Sequence, residues 1–285
     1  MDDSASPKPS ASLTAPTGTG RSGLHPTNAL RLQKTIGNRA VVGILRAVHT
    51  DKELLNVMQK FRSKNSHLTE AQQSKIFWAV KKATDSDEVA YAFFDYYSGW
   101  GGNKILAAEG DKLAKMRKWG RIGDTASGSD SYFIPEILDL SYDDAKLGPL
   151  LLHEFSHTGH FNQGAYQEGQ SYAVEHFYAT RTGANTRAAE IERLISGWKG
   201  DDGPPVRQVF TITYGVLKAL QDLTTKGSST LPPLVGKSAD DGRLLAAAFM
   251  KDMGDSTAVP PKGPIAPLWN YVKANPSAVP DVPPL

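Results

Sequence analysis

The sequence predicts a mainly α-helical chain with a small β element, an α+β fold. Three observations carry this. Apolar side chains recur at helical spacing through most of residues 51–253. Between residues 120 and 142 the character changes to Gly-, Ser- and Asp-rich turns around two short strand-like runs, 132–134 and 137–140. Residues 150–160 read Leu-Leu-Leu-His-Glu-Phe-Ser-His-Thr-Gly-His, an H-E-x-x-H pattern with an apolar back. On a helix that spacing sets His153 and His157 on one face, one turn apart.

A chain of 285 residues can bury one substantial core. The net charge of +2, from 32 basic and 30 acidic residues, gives no footprint for nucleic acid or an anionic membrane surface. No apolar run approaches the length of a membrane span. There are no cysteines, so disulfides and thiolate ligands are excluded, and a metal must be held by His and carboxylates. The start, Met1-Asp2-Asp3-Ser4, is acidic and lacks the apolar stretch of a general secretory signal.

In chain order, residues 1–26 are rich in Ser, Pro, Thr, Ala and Gly and are expected to form a disordered leader. Residues 27–50 carry Leu30, Ile36, Val41, Ile44 and Leu45 in a short helical segment, with Gly37-Asn38 as a kink. Residues 51–254 are the expected main domain. Its first helix carries Leu54, Leu55, Val57, Met58 and Phe61. A second is capped at Thr69 with a box partner at Gln72. A third starts at Asp87, carries five aromatic side chains at core spacing, and breaks at residues 99–102. Asn103 then caps a helix over 104–119. After the strand runs, with Pro135 at an edge or break, come the helix of the H-E-x-x-H pattern and helices over 165–181, 186–198, 206–223 and 240–253. The last is expected to turn Leu244, Leu245, Phe249 and Met250 inward. Residues 255–285 form a Pro-rich tail in which 268–272 can dock as a short helix.

The chemistry follows from the spacing. Two neutral imidazoles at i and i+4 can hold one zinc ion, and Glu154 beside the first can act as general base toward a water there. Zinc lowers the pKa of that water toward neutrality, and the glutamate takes its proton as it attacks a carbonyl. Asp143 or Asp144 can cap the helix and Gly159 can help end it. Tyr214 is a candidate oxyanion donor reaching over the metal; the same residue also reads as core.

Two resemblances extend this reading. The segment Leu32-Gln33-Lys34-Thr35-Ile36-Gly37-Asn38-Arg39-Ala40-Val41 resembles a short element of effectors carried by extracellular contractile injection systems and of related polymorphic toxins, with Lys34 where Arg is more usual. The resemblance implies a cargo made in a bacterial cytoplasm and exported or injected into a target cell, with the injection particle as a partner. Residues 150–177, with Glu168-Gly169-Gln170-Ser171-Tyr172, resemble gluzincin metallopeptidases, notably the aminopeptidase branch. That likeness implies a zincin-like fold, Zn2+ as cofactor, a protein or peptide substrate, and a strand lining the cleft, here 132–134 or 137–140. It also implies a glutamate as third ligand. The Glu-Gly-x-Ser pattern points to Glu168. The gluzincin spacer is longer than the ten residues between His157 and Glu168, and the seventeen before Glu175 lie nearer to it. Glu168 is taken as the ligand, because a tight Gly-containing loop can return the chain, and Glu175 as a carboxylate orienting a histidine. His160 stands a further turn along, too far from the metal. The alternatives to a metalloprotease effector are a non-catalytic cargo or structural protein that keeps the fold, and a housekeeping peptidase without export.

Overall fold

The computed structural model describes residues 51–99, 104–125, 130–158, 164–255, 263–279 and 281–283. The leader, the 27–50 segment, the residue 100–102 break, Asn103, and His160 with its loop lie outside the described residues, as do the side chains of Leu54, Leu55, Met58 and Met250. The described chain is mostly helical with one three-stranded sheet.

Three helices come first: α1 (Asp51–Lys64), α2 (Glu70–Ser86) and α3 (Glu88–Gly99). Thr69 and Gln72 form the reciprocal capping box read from the sequence. Asp87 starts α3 by accepting the Val89 N–H at 2.7 Å. Val57, Phe61, Ile76, Val80, Phe93 and Phe94 are all buried.

The expected helix over 104–119 is two elements instead, β1 (Ile105–Ala107) and α4 (Gly110–Lys118). Tertiary partners override the helical pattern here. Ile105 N–H donates to Asn65 Oδ1 at 2.7 Å, and β1 pairs in parallel with β3 (Ser131–Phe133). Gly110, at φ +50°, supplies the left-handed residue that turns the strand into the helix. The other edge of β3 pairs antiparallel with β2 (Gly123–Thr125), giving the order β1-β3-β2. Residues 135–138 are a 3-10 turn, not a strand. Pro135 has no N–H for a ladder, and Ile137 and Leu138 go into the core.

The remaining helices are α5 (Asp144–Thr158), α6 (Ala165–Thr182), α7 (Asn185–Ser196), α8 (Gly203–Lys226), α9 (Ala239–Asp255) and α10 (Ala266–Ala274). α6 packs between α5 and α8, and α2 packs on α5 and also touches α6. The helix–helix approaches are close. A Cβ on Gly148 of α5 would stand 2.7 Å from Ala79 O of α2, and one on Gly169 of α6 would stand 2.7 Å from Val206 O of α8. Asp143, not Asp144, caps α5 by accepting the Ala145 N–H at 2.8 Å. Pro149 lies inside α5 and cannot donate to the carbonyl of Ala145. Thr182 Oγ1 of α6 donates to that carbonyl at 2.7 Å, so the gap is filled from the neighbouring helix.

Two further expectations change. Leu244 is 71% exposed; α9 buries Phe249 as expected, with Leu245 packed against the core and Ala246 taking the inner place Leu244 was expected to fill. The C-terminal segment is less of a tail than its prolines suggest. Trp269 on α10 is fully buried beside Phe249, with Leu268, Val272 and Val279 also inside, so the folded unit runs past residue 254. Among the described residues no helix is long and apolar enough to cross a membrane.

Candidate metal centre

α5 presents His153 and His157 one turn apart, both buried, and α6 brings Glu168 against them. His153 Nε2 and His157 Nε2 are 3.3 Å apart, and Glu168 Oε2 is 3.7 Å from each. A point equidistant from the corners of that triangle lies about 2.1 Å from each, the length of Zn–N and Zn–O bonds. No covalent or packing constraint among apolar side chains requires three polar tips to converge so. The group His153, His157 and Glu168 can hold a metal ion.

The helix register that makes this triangle comes from small residues. The Ser156 and Ser171 hydroxyls, both fully buried, meet across the α5–α6 interface. Gly169 lets α6 settle onto α8. The Gly and Ser of the Glu-Gly-x-Ser pattern are therefore packing residues that fix where Glu168 stands.

Glu175, two turns along α6, serves the other side of the first imidazole. Its Oε2 is 3.0 Å from His153 Nδ1, and Arg187 of α7 grips the same carboxylate, Nε to Oε1 at 2.7 Å. Arg187 also reaches Glu190 at 3.3 Å. Burial pushes the fully enclosed Glu175 upward in pKa, but the His153 hydrogen bond and the Arg187 charge outweigh it and hold it down at about 2. Burial disfavours a protonated His153, and Glu175, Glu154 and Glu168 outweigh that, raising its pKa. A carboxylate on Nδ1 leaves Nε2 as the free lone pair that faces the triangle.

Glu154 points to the opposite wall, under β2. Its Oε2 lies 2.8 Å from Thr125 Oγ1, which lies 2.8 Å from Ser131 Oγ of β3. One hydroxyl proton serves one acceptor, and the carboxylate is the stronger one. Burial raises the Glu154 pKa to about 7 against the opposing pull of His153 and Thr125. Glu154, Glu168 and Glu175 line one cavity, and Arg187 is paired with Glu175 and Glu190, so the carboxylates facing the triangle suit a cation there.

The backbone of β2 lies directly on Glu154. A Cβ added to Gly123 would sit 2.1 Å from Glu154 Oε1 and 2.5 Å from its Cδ. Gly123→Ala is expected to displace the carboxylate by about 1 Å, a shift that would lower kcat by about 10²-fold were Glu154 a general base. Metal analysis should show binding unchanged, since the three atoms nearest a Cβ at residue 123 all belong to Glu154 and none to the triangle.

Donor triangle, Glu154 and β2 share one cavity of about 320 Å³. The strand at the cavity is β2; β3, containing 132–133 of the expected cleft strand, is the central strand, and 137–138 are in the 3-10 turn. Tyr214 does not line the cavity. It is 5% exposed on α8 and packs against His176, Phe177 and Phe210 with ring centroids 5.7, 5.4 and 6.3 Å away. The tyrosine at the cavity is Tyr172, edge-on to His153 at 4.5 Å.

Gly123, Thr125, Tyr172 and Arg187 were not foreseen as site residues. The run Gly123-Asp124-Thr125-Ala126-Ser127-Gly128 reads as a loop, because only pairing with β3 makes part of it a strand. Arg187 had a faint signal, a cation within a turn of an acid-bearing helix. Comparison with known proteins adds no assignment: no family model, no curated protein and no solved structure matches this chain.

Proposed function

We propose that this chain is a zinc-dependent peptide hydrolase of the zincin type, with His153, His157 and Glu168 as ligands and Glu154 as general base. One observation supports it above the others: a His-His-Glu donor triangle of zinc-bond dimensions with a buried carboxylate beside it and a strand across the cavity. Two histidines and one glutamate make a three-ligand set, the kind that leaves a coordination position open for chemistry rather than closing it with a fourth side chain. Zinc bound there polarises a carbonyl and makes water acidic near neutral pH.

The chain's own groups supply the rest. Glu154 takes the proton of the attacking water and returns it to the leaving amine. Thr125 anchors the carboxylate in the cavity it shares with the triangle while the proton moves. Glu175 and Arg187 hold the His153 ring so that Nε2 cannot rotate away. β2 is the outer strand of its sheet and can take an extended peptide alongside it. The ten-residue likeness at 32–41 supports delivery of this activity into a target cell by an injection particle.

Metal content tests the centre. The purified protein is expected to hold one zinc per chain, and His153→Ala or Glu168→Ala to lose it. Full zinc occupancy in His153→Ala would overturn the centre, and loss in Glu175→Ala but not Glu168→Ala would overturn the choice of third ligand. A zinc-loaded protein that cleaves no peptide would leave the cargo reading in place of the enzyme.

A further inference from the structure

Among the described residues six large apolar side chains are exposed, and two of them, Trp119 (62%) and Leu194 (40%), line the cavity of the donor triangle. Half-buried Trp198 and Tyr172 line it with them. A lone exposed leucine or tryptophan is unremarked on a protein surface; several converging on one cavity are a recognition feature. We propose that the mouth of this cavity is a subsite for a bulky apolar side chain of the substrate, gripped by Trp119, Leu194 and Trp198. This rests on the hydrolase reading and adds the substrate class to it.

The subsite is built rather than incidental. Trp119 closes α4, with its N–H on Lys115 O at 3.1 Å, and the left-handed Gly120 (φ +65°) turns the chain away behind it. The Arg121 guanidinium lies 5.3 Å from the indole centroid and is tied to Asp124 of β2 at 2.8 Å. The indole is therefore held in place on its exposed perch. On the α7 side, Trp198 follows Leu194 by one turn, with its N–H on Ile195 O at 3.2 Å and its carbonyl accepting from Arg207 at 3.3 Å. Its ring meets Tyr172 at 6.5 Å, and Tyr172 meets His153 at 4.5 Å. An aromatic wall thus runs unbroken from a donor of the triangle to the mouth, which places the subsite next to the bond to be cleaved.

Charge selects against an acidic side chain. Among the described residues the cations lining the cavity are engaged: Arg121 with Asp124, and Arg187 with Glu175 and Glu190. An acidic substrate side chain finds no unused cation among them.

The test uses zinc-loaded full-length protein and two series of blocked peptides, varied to Phe, Leu, Ala, Asp or Lys on one side of the cleaved bond or the other. In one series kcat/KM for Phe and Leu should exceed that for Ala, Asp and Lys by about 10-fold or more, mostly through KM. Trp119→Ala and Leu194→Ala, both at exposed positions that fold safely, should collapse that ratio toward unity. A flat profile, a preference for Asp or Lys, or an equal fall across all peptides in Trp119→Ala would overturn the subsite and leave the hydrolase standing. Peptide binding to zinc-loaded Glu154→Gln, followed by fluorescence anisotropy, separates the two readings. Tight binding of Phe peptides that is lost on adding Trp119→Ala, with no cleavage by wild type, would keep the subsite and overturn the hydrolase. Neither binding nor cleavage would overturn both.

Discussion

Glu154→Gln is expected to keep one zinc per chain and to lower kcat by about 10²–10⁴, the range general acid–base help supplies. Glutamine matches glutamate in volume, so the contact beneath Gly123 is preserved. Its carbonyl can still accept from Thr125 Oγ1, which lies 2.8 Å from Glu154 Oε2 in the wild type. What it cannot do is take a proton from water or pass one to the leaving amine. The measurement pairs kcat with metal analysis and a thermal melt on one preparation. A zinc-replete, normally folded Glu154→Gln that hydrolyses peptides at the wild-type rate would sink the general-base role. Loss of metal together with activity would show instead that Glu154 holds the site together rather than moving protons.

Arg187→Ala should produce the largest loss of stability. Glu175 is fully buried and its carboxylate is shared between Arg187 and His153. Removing the guanidinium leaves a buried charge with one partner, and breaking a buried pair this way costs about 3–5 kcal/mol. In a chain of this size that lowers Tm by on the order of 10 °C. Glu175→Gln should behave differently. It removes the charge with the hydrogen-bonding shape kept, and Arg187 retains Glu190, so the melt should move less. The His153 ring is then held by a weaker acceptor, and zinc affinity should fall about 10–100-fold. Calorimetry and competitive zinc titration on the two variants would separate these effects. An Arg187→Ala protein melting like wild type would show that water, not Arg187, compensates Glu175.

How far the sequence could be read depended on the range of the interaction. His153, Glu154 and His157 are fixed by one helix, whose periodicity is local and visible. The two glutamates of α6 needed the α5–α6 register. Sequence spacing put both on roughly one face, but only packing shows that Glu168 meets Nε2 and Glu175 meets Nδ1 of the same ring. β2 was invisible, since Gly123 and Asp124 are poor strand formers, Thr125 alone favours a strand, and the segment is held by β3. Residues 104–107 failed for the same reason in reverse: a helical pattern yielded to a strand partner and to Asn65. Tyr214 misled because an aromatic late in the chain can reach a site or fill a core, and α8 turns it into the core.

The order in which the site can assemble is set by chain distance. All three metal donors fall within residues 153–168, on adjacent helices, so closing that loop sacrifices little conformational freedom. Thr125 and Gly123 come from β2, and the Thr125–Glu154 hydrogen bond spans 29 residues. The donor triangle is thus the shorter-range arrangement, and the Glu154–Thr125 contact the longer-range one. A chain whose sheet has not yet closed can already bring the three donors together, with Glu154 still lacking its partner on β2.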